Sequence, residues 1–170
     1  MAVLYFNYRN TKERAEKIST PYNSFLSVYN LYHLIRITLP TYDPLIVLSH
    51  TIHETEWGRK CYNFNLFGIK FIGSGQFYMS DTTEGYKQRT RAKFRSFLSF
   101  SDCLMFYDDL IQRAYPEAYQ SRSDYREYFK HLIYNKANRR WATHCDKHGI
   151  PIYDKLLINL YGSVKKYLGG

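Results

Sequence analysis

Cysteine is scarce in this chain. Cys61, Cys103 and Cys145 are the three in 170 residues, odd in number and unevenly spaced, which excludes a disulfide framework and points to thiols kept reduced. Proline (five) and glycine (nine) are too few for a low-complexity, collagen-like or linker-built protein. No apolar run approaches the roughly eighteen residues that a membrane-spanning helix needs. The opening segment, Met1 to Asn10, has a short apolar run with its charge after it instead of before. That is the wrong order for a secretory signal, so the expectation is synthesis in the cytoplasm and another route out. Acid is the other shortage: 15 Asp and Glu stand against 24 Lys and Arg, for a net charge of +9. Such a surplus favours an anionic partner, whether nucleic acid, acidic membrane or wall polymer.

What the chain has in quantity is aromatic surface, 18 Tyr and 11 Phe. Tyrosine serves core edges and stacking platforms equally well. The length suits one domain that buries about two thirds of its unfolded surface. Residues 1–22, densely charged from Lys12 to Lys17, read as an N-terminal arm or short helix, and 23–170 as the folded domain. From Asn23 to Leu39 apolar residues recur at helical spacing (Phe25, Leu26, Val28, Tyr29, Tyr32, Leu34, Ile35) and Pro40 stops them. A second helix opens on Asp43-Pro44, an N-cap followed by a residue suited to the first helical position. Its stripe of Leu45, Leu48 and Ile52, with Ile46 and Val47 outside it, makes it apolar nearly all round and therefore central. Over residues 76–97 the period changes to two. Lys87, Arg89, Arg91, Lys93 and Arg95 alternate with Gln88, Thr90, Ala92 and Phe94, which predicts a β-hairpin turning near Gly85. Helices are expected again from about Ser101 to Arg113, Ser123 to Asn135 and Pro151 to Leu168. The fold class is mainly α (α+β).

The chemistry gathers at the end of the second helix, where Glu54 and Glu56 precede Trp57-Gly58. Residues two apart on a helix point about 200° from each other, so at most one of the pair faces a cleft. The helical wheel puts Glu56 on the apolar stripe and Glu54 opposite, and periodicity leaves open which side is the cleft, or whether both are solvated. A carboxyl group at the end of a buried helix beside a large aromatic is where desolvation raises a pKa and makes a proton donor.

His53-Glu54-Thr55-Glu56-Trp57-Gly58-Arg59, then Asn65-Leu66-Phe67-Gly68-Ile69-Lys70, resembles the signature of the peptidoglycan N-acetylglucosaminidases of glycoside hydrolase family 73, whose domain is the mannosyl-glycoprotein endo-beta-N-acetylglucosaminidase-like one. Thr82-Thr83-Glu84, Phe94-Arg95-Ser96-Phe97 and Trp141-Ala142-Thr143 match further family motifs in the same order, and the resemblance spans roughly residues 23–165. It implies a lysozyme-like helical domain with a small β-hairpin flanking the cleft. It further implies hydrolysis of the β-1,4 glycosidic bond after N-acetylglucosamine in bacterial peptidoglycan, through an oxocarbenium-like transition state. By position, Glu54 matches the general acid and Glu84 the second carboxylate on the hairpin, while Glu56 falls at a variable site. Trp57, Asn65, Phe67, Tyr78, Trp141 and Tyr153 are the expected substrate-binding residues. The chain departs from the pattern at Trp141, where the family has tyrosine, and Tyr153 is the candidate replacement.

Competing readings are weaker. His50 and His53, or His144, Cys145 and His148, fit no standard zinc template, so no metal and no cofactor are expected. Cys145 lacks a thiol-protease setting, and a lytic transglycosylase would carry Gly-Leu-Met-Gln where Asn65-Leu66-Phe67-Gly68 stands. The basic strand admits nucleic-acid binding, attraction to anionic wall polymers, or a plain solvated face. The expected partners are peptidoglycan glycan strands and other virion or tail proteins, with no nucleic acid. A phage lysin or virion component is the setting this suggests, and a non-catalytic structural part of a phage tail or secretion assembly is the alternative.

Overall fold

Buried apolar side chains from every helix form the core, and the helix that opens on Asp43-Pro44 runs through it. The computed structural model describes residues 12–20, 25–84, 88–142, 145–146 and 148–169, with the backbone alone at 12–13, 25–27, 83–84 and 88. In chain order the elements are β1 (Lys12–Arg14), α1 (Phe25–Thr38), α2 (Pro44–Thr55), β2 (Gly75–Glu84), β3 (Gln88–Arg95), α3 (Phe100–Ala114), α4 (Pro116–Gln120), α5 (Tyr125–His131) and α6 (Tyr153–Tyr167).

Helix α2 starts as its residues dictate. The Asp43 carboxylate accepts from the Leu45 N–H and Pro44 fills the first turn. From Ile46 to Ile52 every side chain is buried, and each large aliphatic one among them contributes about 1.5–3 kcal/mol. Its hydroxyls are satisfied by the helix itself: Ser49 Oγ donates to Leu45 O, Thr51 Oγ1 to Leu48 O and Thr55 Oγ1 to Thr51 O. Helix α6 lies against it and ties both ends. Tyr161 donates to the Asp43 carboxylate at 2.6 Å, and Tyr153, two turns earlier, donates to Glu54. The two helices therefore run antiparallel. Glu56 and Trp57, both at positive φ (49° and 59°), stop α2, so Glu56 lies past the helix and not on its apolar stripe.

The hairpin forms where the period of two predicts it, with Phe77 opposite Arg95 and Glu84 opposite Gln88. Gly85 and Lys87 lie outside the described residues. Arg89, Arg91 and Lys93 are exposed. Arg95 instead turns back, donating to Ile72 O (2.8 Å) and Ser74 O (3.1 Å) with its guanidinium over the Phe106 ring. The hairpin base is joined to the chain after α2, because Arg95 N–H donates to Ile69 O and Phe71 N–H to Lys93 O.

Two expectations are corrected. Within the segment read as an arm or short helix, Lys12–Arg14 form a third strand, β1, parallel to β2 in the sheet order β1-β2-β3. Asn63 stitches down the chain just after β1. This residue donates from Nδ2 to Glu16 O (2.7 Å) and Ser96 Oγ (3.1 Å), and its Oδ1 accepts from Ile18 N–H (2.8 Å). The helix expected over Ser123–Asn135 is α5, shorter at both ends (Tyr125–His131), and α4 before it was not expected. Pro116 starts α4, and Asp124, accepting from Arg126 and Glu127 N–H, starts α5 afresh. The remaining helices match, with Ser99 as the N-cap of α3 in place of Ser101.

Asn63→Ala removes three side-chain hydrogen bonds and puts a Cβ-bearing non-turn residue at φ 49°. The expected loss is about 2–3 kcal/mol in urea unfolding, with faster proteolysis between residues 12 and 20. Asn63→Gly, which relieves the backbone, should recover only part of it.

Candidate active site

Glu54 occupies the last turn of α2, its side chain 20% exposed. Oε1 accepts the Tyr153 hydroxyl hydrogen bond from α6. His50, one turn earlier on the same face, is buried and holds Nε2 at 3.7 Å from Oε1. Across the opening stands Gly68 at φ 59°, where a Cβ would come to 3.7 Å from Glu54 Oε2. That backbone conformation favours glycine, and a Cβ there would meet the carboxylate at ordinary contact distance.

Burial pushes the Glu54 carboxyl up, as the sequence suggested. The His50 imidazole, the Tyr153 phenol and His53 together outweigh it and hold the group below the ordinary carboxylate range. The proton donor expected from desolvation alone is therefore a carboxylate in the unliganded protein. Tyr153, Tyr107 and Tyr128 are displaced the other way, well above the usual phenol range, chiefly by burial. They remain neutral donors at any physiological pH.

Behind Glu54 the polar groups continue inward. His50 Nδ1 meets the Tyr107 hydroxyl at 2.9 Å, and Tyr107 OH meets Tyr128 OH at 2.5 Å. Trp141, half-buried, packs edge-on against the imidazole with centroids 4.7 Å apart.

Several expected substrate-binding residues turn out to be structural. Phe67 is 1% exposed and stacks on Tyr107 at 3.8 Å; it presents no face to a sugar. Asn65, 2% exposed, accepts from Ile69 N–H through Oδ1 and donates to Ile69 O and Arg95 O through Nδ2, which closes the loop that presents Gly68. Tyr78 is 4% exposed, between Tyr62 and Phe94. Tyr153 is buried too, and its hydroxyl is spent on Glu54. Trp57 keeps partial exposure and packs edge-on against Tyr167 of α6. Glu56 is solvated and paired with Lys60. Glu84 ends β2, roughly 20 Å along the strand from Phe77; its side chain lies outside the described residues, as do Thr143 and His144.

Sequence reading missed His50, Tyr107 and Tyr128 as members of the site. The i, i+4 spacing of His50 and Glu54 was the available signal, but His50 was weighed only as a metal ligand. Among the described residues no three His, Cys, Asp or Glu side chains are grouped to hold a metal. A cavity of about 420 Å³ bounded by Glu117, His131, Tyr134, Lys136 and Arg140 shares no residue with the Glu54 cluster.

A family model described as mannosyl-glycoprotein endo-beta-N-acetylglucosaminidase matches residues 40–166. No curated protein sequence matches the chain. Among solved structures, a peptidoglycan hydrolase mutant from Sphingomonas sp. A1 aligns with a TM-score of 0.66 at 18% identity, over 85% of this chain and 98% of its own. The catalytic domain of the autolysin Auto from Listeria monocytogenes aligns at 0.62 and 22%, over 88% and 89%. A C-terminally truncated glycoside hydrolase domain from Salmonella typhimurium FlgJ aligns at 0.59 and 20%, over 85% and 97%. At these identities the likeness is one of fold, and it matches the lysozyme-like expectation.

Because the Glu54 value in the folded state lies below the unfolded one, the carboxylate adds stability that is complete above the ordinary range and fades as pH falls through the folded value. Tyr153→Phe removes one cause of the lowering. Its Glu54 midpoint should rise in a ¹³C-carboxyl NMR titration, and the variant should lose more stability against wild type at pH 7 than at pH 3.

Proposed function

The chain belongs to the mannosyl-glycoprotein endo-beta-N-acetylglucosaminidase family and is a glycoside hydrolase; from that premise we propose that it cleaves the β-1,4 bond after N-acetylglucosamine in bacterial peptidoglycan, with Glu54 as the general acid. The observation that carries this reading is the setting of Glu54. It is the carboxyl group at the end of the buried central helix, with a fifth of its side chain open, glycine opposite it and a phenol donating to it. The peptidoglycan hydrolases of similar fold support the choice of substrate.

In this mechanism Glu54 delivers its proton to the glycosidic oxygen as the bond to the leaving sugar breaks. Tyr153 and His50 favour the carboxylate left behind, which makes Glu54 a stronger acid in that step. The same contacts lower the protonated fraction in the free protein. A glycan strand covering the open side of Glu54 excludes water and strengthens the desolvation that pushes the carboxyl up, so the proton is held when substrate is in place. The oxocarbenium-like charge requires a second negative group or a base to activate water. Glu84 is the candidate, carried by a hairpin whose base is bonded to the segment bearing Gly68. The exposed Arg89, Arg91 and Lys93 on that hairpin draw an anionic wall toward the site.

Purified walls in a zymogram should be cleared by wild type, and Glu54→Gln should lower the rate by about 10²–10⁴-fold with the fold kept. Glu56→Gln, altering a solvated ion pair, should stay near wild type. Borohydride reduction of the products and then mass spectrometry should find reduced N-acetylglucosamine. Reduced muramic acid would overturn the bond assigned, and full lysis by Glu54→Gln would overturn the acid. A wild-type protein inert on walls would support the non-catalytic reading.

A further inference from the structure

The core behind Glu54 holds a polar chain that the cleavage step does not itself consume. His50, Tyr107 and Tyr128 are each 0% exposed, and they come from three elements, α2, α3 and α5. Tyr107 OH lies 2.9 Å from His50 Nδ1 and 2.5 Å from Tyr128 OH. The other imidazole nitrogen, Nε2, has no hydrogen-bond partner among the described residues, and it faces Glu54 Oε1 at 3.7 Å. Leaving a buried polar atom unpaired carries a free-energy cost. Here that cost falls beside the carboxylate assigned to catalysis.

We propose that His50 is a positioning residue for Glu54: the Tyr107–Tyr128 pair fixes its Nδ1, so that Nε2 is aimed at the carboxylate and can complement it whether charged or protonated. The proposal rests on the reading of Glu54 as the general acid. Its physical basis is the imidazole's two tautomers. When Tyr107 donates to Nδ1, Nε2 carries the hydrogen and presents a donor to the Glu54 carboxylate, and a small rotation of Glu54 closes 3.7 Å to hydrogen-bond length. When Nδ1 carries the hydrogen and donates to Tyr107, Nε2 offers a lone pair that can accept from a protonated Glu54. The anchor serves both because a hydroxyl can donate or accept, and Tyr107 passes the change to Tyr128. Burial keeps both phenols protonated, so they act as rotors and not as charges. The rings of Trp141, Phe67 and Tyr107 lie 4.7, 5.4 and 5.6 Å from the imidazole, which restrains it from turning away. The titratable groups facing Glu54 among the described residues are His50 and His53 from its own helix and Tyr153 from α6. Tyr107 of α3 and Tyr128 of α5 act through His50. The segment across the opening contributes the backbone of Gly68.

The test uses His50→Asn, His50→Gln and Tyr107→Phe in the full chain. Asn keeps a polar atom for Tyr107 and drops the one facing Glu54, whereas Gln reaches the Nε2 position. Two readouts are taken: the Glu54 midpoint by ¹³C-carboxyl NMR, and the pH profile of kcat/KM on soluble glycan fragments. Removing a contact that favours the carboxylate raises the midpoint. The alkaline limb, which reports the free enzyme's acid, then moves to higher pH by about one unit in His50→Asn. His50→Gln should bring both readouts back toward wild type, and Tyr107→Phe should give a smaller shift in the same direction. A midpoint and limb unmoved in folded His50→Asn would overturn the proposal. Should that variant not fold, an unmoved midpoint in Tyr107→Phe does the same. Because NMR needs no turnover, the outcomes separate: a shifted midpoint with Glu54→Gln still lytic sinks the catalytic reading alone, whereas an inactive Glu54→Gln with no shift sinks only the role of His50.

Discussion

Burying a helix on all sides forces each polar side chain it carries to find a partner inside the protein, and α2 shows how the rest of the structure answers that demand. Its hydroxyls turn back on the helix backbone. Its two acidic residues, Asp43 at the start and Glu54 near the end, each take a phenol from α6, and its buried histidine takes one from α3. The antiparallel docking of α2 and α6 thus arises from apolar burial along their length and from a tyrosine–carboxylate bond at either end. Loss of either contact would leave a partly buried carboxylate short of a donor.

The same demand sets the electrostatics of the site. Desolvation by itself pushes the Glu54 carboxyl up. The donors assembled around it reverse the sign and keep it charged in the free state. A glycosidase acid must hold its proton until the bond is ready to break and give it up readily then. Contacts that stabilise the conjugate base serve the second requirement, and a site still open to water lets substrate serve the first.

The stretch Asn65 to Ile69 works from beneath. Asn65 closes the loop with three hydrogen bonds, and Leu66 and Phe67 sink into the core. The stacking of Phe67 on Tyr107 joins this loop to the residue that anchors His50. What reaches the surface is Gly68, at a φ that favours glycine and where a Cβ would sit in van der Waals contact with Glu54. A motif that reads as a row of substrate contacts is largely the scaffold for a single bare backbone position.

Local pattern was enough to place α1, α2, α3, α6 and the hairpin, because periods of 3.6 and 2 and the cap at Asp43 are properties of neighbouring residues. The motifs around Glu54 and Gly68 pointed to the family for the same reason. Strand β1 was not legible: its three polar residues pair with Gly75–Phe77 across more than sixty positions, and Asn63 holds the chain just after them. Helix α4 was not legible because its five residues are too few to display a helical period. Burial of Phe67, Tyr78 and Asn65 depends on what packs above them, which no short window contains. Helix identity, charge and the presence of a carboxyl group at the end of a buried helix were the sequence's own doing, since they depend on order along the chain. Which partners that carboxyl group meets, Tyr153 ninety-nine positions later and His50 with its phenols behind, was decided only by tertiary packing, because contact energy depends on distance in space and not on separation along the chain.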